Sequence, residues 1–169
     1  MNASIPSELV IAYSETTISI QLDNFQSVVI KGTIAETDSA NFLDFFGAHI
    51  QELWVITADN PFSKLLSPED NLQRQQSLHA ALANKGIDFL EAFCSSPDRS
   101  WSEHSFAVLA TNLSAHKIQI EIHKLARCFG QNAVFKVTPS ILSMISTLGD
   151  SRNEKSEVLF TSNYSCILD

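Results

Sequence analysis

Apolar and polar residues alternate with a period of two in TISIQL and SVVIKG near the start of the chain, the pattern of half-buried strands. The intervening DNFQ carries turn residues, so the pair is predicted to form a hairpin. An apolar segment, ELVIAYS, precedes it, and SANFLDFFGAHI after it predicts a helix. From Leu53 the pattern becomes more regular. Strand LWVITA leads to a helix from Pro68 to about Asn84, then strands IDFLEAF and SFAVLAT, a helix from Ala115 to Phe129, and strand AVFKV. This βαββαβ order predicts a ferredoxin-like α+β fold, an antiparallel sheet with its helices on one face, plus an N-terminal hairpin and helix. Past Thr138, PSILSMISTLGD predicts a short helix beginning at Pro139, SRNEKSE a polar loop, and VLFTS with YSCILD a final strand or pair of strands. The whole is read as one domain, 1–169, with a core at 13–137 and a helix-strand extension at 138–169.

Both core helices carry end signals. Ser67 precedes Pro68 and stands three residues before Asp70, which supplies an N-cap, a proline at the first helical position and acidic residues at the positive dipole end. Lys85-Gly86 is the stop. In the second helix Ser114 is the expected cap, Ile118, Ile122, Leu125 and Phe129 form the apolar stripe, and Gly130 ends it.

Composition narrows the function classes. Hydrophobic residues at 44% and charged residues at 18% describe a globular chain. A formal charge of -8 with a pI near 5.0 argues against a broad nucleic-acid-binding surface, because phosphate neutralisation needs clustered Lys and Arg. The three cysteines, Cys94, Cys128 and Cys166, lack metal-ligand spacing and read as free thiols in a reducing compartment. The N-terminal stretch lacks the basic and apolar regions of a leader, and no apolar run is long enough to span a bilayer. A cytoplasmic location is therefore expected, with the NxS triplets at Asn2, Asn112 and Asn163 as chance matches.

At 100° per residue Asn71 and Arg74 share one face of the first core helix with Leu78, Ala81 and Leu82, where apolar residues are the rule. In a βαββαβ unit the end of the first strand meets the start of that helix, the hairpin SSPDRSWSEHS and the FGQN after the second helix. Asn60, Asn71, Arg74, Glu103 and Gln131 therefore converge at one edge of the sheet. An unpaired buried guanidinium is strongly disfavoured, so Arg74 requires a carboxylate or an anionic ligand, and topology makes Glu103 the nearest acid.

The same stretches resemble a mainly bacterial family, domain of unknown function 3293. Its pattern appears here as ITADNPFS (Ile56 to Ser63), EDNLQR (Glu69 to Arg74), WSEHSF (Trp101 to Phe106) and FGQNAV (Phe129 to Val134). The resemblance covers about Tyr13 to Val137 and implies no activity. Two features depart from it: Asp59, where a larger residue is expected before Asn-Pro, and the extension past Val137.

Three chemical readings follow from this constellation. It is a polar network tying loop ends together; or a site for a small anionic ligand, with Arg74 holding the anion, Asn60, Asn71, Gln131 and Asn132 reading polar edges and Trp101 forming a flat wall; or a catalytic centre with Glu103 as general acid or base and His104 beside it. The ligand-binding or regulatory reading is preferred. A protein-interaction module or homodimer built by strand addition at the C-terminal extension is the alternative.

Other chemistry has little support. His116 and His123 lie on a polar face, and no metal or cofactor motif is present. Ser63, Ser102 and Ser105 lack a nucleophile-elbow setting, and Cys94 near Arg99 reads as a buried strand thiol. The strands lack the basic, aromatic-rich stretch with which RNA-binding βαββαβ domains stack bases.

Overall fold

The computed structural model describes residues 5–22, 25–33, 40–148 and 158–168. The chain runs through α1 (Ser7–Ser14), β1 (Thr17–Gln21), β2 (Ser27–Thr33), α2 (Ala40–Phe46) and β3 (Ile50–Thr57), then a single 3-10 turn at Pro61–Ser63. It continues through α3 (Pro68–Asn84), β4 (Phe89–Ser95), β5 (Ser102–Thr111), α4 (Ala115–Cys128), β6 (Ala133–Val137), β7 (Leu142–Ser146) and β8 (Val158–Leu168). The strands close into a barrel in the order β1-β2-β8-β7-β6-β3-β5-β4, every neighbouring pair antiparallel, with β4 returning to β1.

Closure corrects the predicted architecture. The elements between β3 and β6 come in the expected order, but they do not form an open ferredoxin-like α+β sheet. The hairpin β1-β2 pairs with β4 on one side and β8 on the other, and β7 joins β8 to β6. Because each strand has a neighbour on both sides, the barrel removes the sheet edges that strand addition would need. In the extension the helix expected from Pro139 is instead strand β7, whereas VLFTS with YSCILD forms one final strand, β8, the first of the two predicted alternatives. Leu142 and Met144 alternate into the barrel interior while Ser143 faces out, and pairing on both sides satisfies a backbone that a helix would have left apart from the sheet. The loop predicted at SRNEKSE lies outside the described residues. ELVIAYS, which carried no strand alternation, is within helix α1.

Two apolar clusters follow from the alternation. Inward residues Ile18, Ile30, Leu53, Val55, Ala107, Val137 and Met144 fill the barrel, joined by Phe42 and Phe46 of α2 beside the start of β3. Outward residues Trp54, Ile56, Phe106 and Val108 meet Leu78 and Leu82 of α3 and Ile118, Ile122 and Leu125 of α4. β3 and β5 are thus covered on both faces. On the outer wall the Trp54 indole donates to Glu52 Oε1 at 2.8 Å, and Lys136, opposite Trp54, pairs with Glu52 Oε2 at 2.6 Å. This satisfies a carboxylate that is only 8% exposed.

The helix ends set up the site. Ser67 Oγ accepts from Asp70 N at 3.1 Å, as its sequence position predicts. Ser114 does not cap α4 with its side chain; its Oγ instead accepts from Thr111 N at 2.9 Å and closes the preceding turn. Lys85, just past α3, pairs with Glu121 of α4 at 2.8 Å.

Candidate functional site

The segment after β3 is held in an uncommon backbone conformation. Asn60 is left-handed at φ 46° and ψ 61°, and Phe62 and Ser63 also have positive φ, 54° and 58°. Non-glycine residues reach this region at a cost of roughly 1 kcal/mol or more each, so surrounding contacts must hold them there. Asn71 does so for Asn60: its Oδ1 accepts from Asn60 N and its Nδ2 donates to Asn60 Oδ1, both at 3.0 Å. Leu66 N also donates to Asn60 Oδ1, at 3.1 Å. Phe62 N donates to Gly130 O at 2.7 Å, locking the loop against the end of α4.

Behind this loop, on the helix side of the barrel wall, lies a clasp of hydrogen-bonded side chains in which Gln75 Oε1 is left without a partner among the described residues. Arg74 Nε donates to Ala58 O at 2.7 Å and its Nη2 to Phe129 O, with the guanidinium 5.7 Å from the Phe129 ring. Its partners are thus main-chain carbonyls, one at the negative end of the α4 dipole, rather than Glu103. Gln75 Nε2 reaches Thr57 Oγ1 and Asp59 Oδ1, each at 2.9 Å, and also His104 O. Asp59 Oδ2 accepts from His104 N at 3.1 Å, and Gln131 Nε2 donates to Asp59 O at 2.8 Å. Asp59 is therefore the acceptor that joins α3 to β5.

In front of the loop, at the barrel mouth, Glu103 takes a different position. It stands opposite Cys94 on β4, on the inward face of β5, and its Oε1 accepts from Asn60 Nδ2 at 3.0 Å. Burial raises its pKa most, the Asn60 hydrogen bond opposes that, and the charge of Asp59 raises it further. Tyr13 of α1 lies over the same mouth, edge-on to Phe135 with ring centroids 6.3 Å apart, and its hydroxyl is 3.4 Å from Ser63 Oγ. Burial also raises the Tyr13 pKa, the Ser63 contact lowers it, and Glu103 adds to the rise. Asn132 Nδ2 donates to Ser63 Oγ at 3.0 Å. Trp101 packs against the interior cluster and its backbone closes the β4-β5 hairpin with Ser96.

Residues 56–134 match the model of a family described as "Protein of unknown function (DUF3293)". Through this segment the chain is similar to that family. No curated protein and no solved structure matches it. The DUF3293 segment contains the clasp from Thr57 to Gln131, but β1, β2, β7 and β8, needed to close the barrel, lie outside it. Tyr13 and Thr147 lie outside it too, although Thr147 Oγ1 donates to Gln131 O.

The predicted residues therefore divide into two sets. Asn60, Asn71 and Glu103 are directly linked; Arg74 and Gln131 belong to the clasp; Asn132 reaches the mouth through Ser63. Sequence reasoning missed Gln75, although it follows Asn71 by one helical turn, and it missed the roles of Asp59, Ser63 and Tyr13. Beyond the mouth, His104 pairs with Glu91 and stacks on Phe93 at 5.1 Å on the outer wall. Burial pushes the Cys94 thiol up to about 12, so it is not a thiolate nucleophile near neutral pH. His123 packs edge-on against Trp54. Among the described residues no group of His, Cys, Asp and Glu could hold a metal ion, and no helix is long and apolar enough to cross a membrane.

Proposed function

We propose that this protein is a small-ligand-binding domain whose ligand sits at the barrel mouth against Glu103, Ser63 and Tyr13, with the Arg74 clasp holding the mouth in shape. One observation carries the reading. Glu103 Oε1 is fixed by Asn60, yet among the described residues nothing donates to Oε2, whereas Asp59, on the other side of the loop, has a donor for each carboxylate oxygen. A carboxyl that is half-buried, oriented and left with an open acceptor favours a ligand over a purely structural role. The test is a thermal-shift screen of polar metabolites on the wild type and Glu103→Gln. Compounds that raise the melting temperature of the first and not the second support the reading. Compounds that stabilise both equally place binding elsewhere.

A second reading, an anion on Arg74, is favoured by one feature. The guanidinium borders an open depression of about 430 Å³ lined by Leu66, Asp70, Gln73, Arg74, Ser77 and Phe129. Anionic hits that persist in Glu103→Gln and vanish in Gln73→Glu would select it. Asp70 in the lining opposes it, which is why the mouth is preferred.

A further inference from the structure

We infer that the group bound at the barrel mouth is an organic cation, the ammonium or guanidinium of a small molecule, an inference that rests on the reading of the mouth as a ligand site. The charge balance there carries it. Glu103 is the carboxylate on the inner face, and the ion pairs among the described residues join other acids: Lys85 and Lys124 to Glu121, Lys136 to Glu52, and His104 to Glu91. Asp59, on the other side of the loop, is bonded by the neutral amide of Gln75 and the backbone of His104, and its nearest base, Arg74, is directed at the carbonyls of Ala58 and Phe129 on the helix side of the wall, so Glu103 itself is left without an ion-pair partner among the described residues.

The hydrogen-bonding groups point the same way. Glu103 Oε2 has no donor among the described residues, and Ser63 Oγ, which accepts from Asn132 Nδ2, and the Tyr13 hydroxyl beside it are further oxygens able to accept. An ammonium or guanidinium brings several donors and the charge that Glu103 lacks, and the Tyr13 ring offers a face on which a cation is attracted. The formal charge of -8 favours the approach of cations.

The experiment follows the side-chain amide signals of Asn60 and Asn132 by 1H-15N NMR during titration with n-butylammonium, methylguanidinium, butanol and butanoate. The cations are expected to move both signals saturably, with at least ten-fold weaker binding in Glu103→Gln. Ser63→Ala, at the exposed loop and away from the Asn60–Glu103 hydrogen bond, provides a second reading and is expected to weaken the same titration several-fold. Cation affinity unchanged in Ser63→Ala, or butanol or butanoate moving the signals as strongly as the cations, overturns the inference; the second result keeps the mouth as a site of other chemistry. No movement with any of the four overturns both readings.

Discussion

Asn60 and Asn71 grip each other reciprocally, each accepting one hydrogen bond from the other at 3.0 Å, and the grip holds Asn60 in a left-handed conformation between the clasp and the mouth. Asn71→Ala removes both bonds and strands the Asn60 N–H, so a loss of about 2 kcal/mol is expected in urea unfolding. Leu72→Ala, one residue away and 56% exposed, is the control and is expected to change stability by less than about 0.5 kcal/mol. Equal effects of the two would mean that the pair does not hold the loop.

The Arg74 clamp makes a sharper demand on shape than on charge. Lysine keeps the cation but cannot span Ala58 O and Phe129 O with a planar fork, so Arg74→Lys is expected to lose about 2 kcal/mol and Arg74→Ala about 3 kcal/mol. An Arg74→Lys variant with the wild-type urea midpoint would show that charge alone suffices.

For Glu103 the sign of the pH dependence is fixed by its environment. Burial raises its folded-state pKa above the unfolded value, so the folded state binds this proton more tightly. Its contribution to stability is fully present below the unfolded pKa and is lost as pH rises through the folded one. Glu103→Gln keeps an acceptor for Asn60 and removes the ionisation, so without ligand it should melt at or above the wild type at pH 7 and lose any advantage near pH 4. A variant that melts lower at pH 7 and recovers at pH 4 would contradict a raised pKa.

Gly130 has φ 67°, and a Cβ placed there would lie 3.0 Å from Phe62 Cε2 and 3.0 Å from Pro61 Cβ. Gly130→Ala is therefore expected to destabilise by about 2 kcal/mol, combining backbone strain with a clash. Adding Phe62→Ala should relieve the ring contact but not the backbone term, a coupling of about 0.5 to 1 kcal/mol in a double-mutant cycle. Strict additivity would mean that the loop yields freely.

Individual elements were legible where side chains alternate or repeat locally. The β1-β2 hairpin, α3 with its Ser67 cap and the inward turn of Asn71 and Arg74 all follow from spacings within one segment. Closure did not follow, because a strand of an open sheet and a strand of a barrel present the same alternation; the difference lies in partners such as β2 and β8, far apart in the chain. At β7, Pro139 and the apolar positions 141, 142, 144 and 145 fit a helix locally, and strand pairing with β6 and β8 overrode them. At the site, the inward face of α3 identified a polar centre, but the partner of Arg74 could not be read, because backbone carbonyls leave no mark on the residue pattern.

The closed barrel also bears on how the protein forms. Ser19 of β1 lies opposite Phe93 of β4, and Gly32 of β2 lies opposite Tyr164 of β8, so the two junctions that complete the ring join segments separated by long stretches of chain. The entropy of closing those stretches is lost before their contacts reward it, which places folding in the slow range, milliseconds to seconds, known for barrels dominated by distant pairings. During synthesis the first hairpin must wait, one side unpaired, until β8 leaves the ribosome.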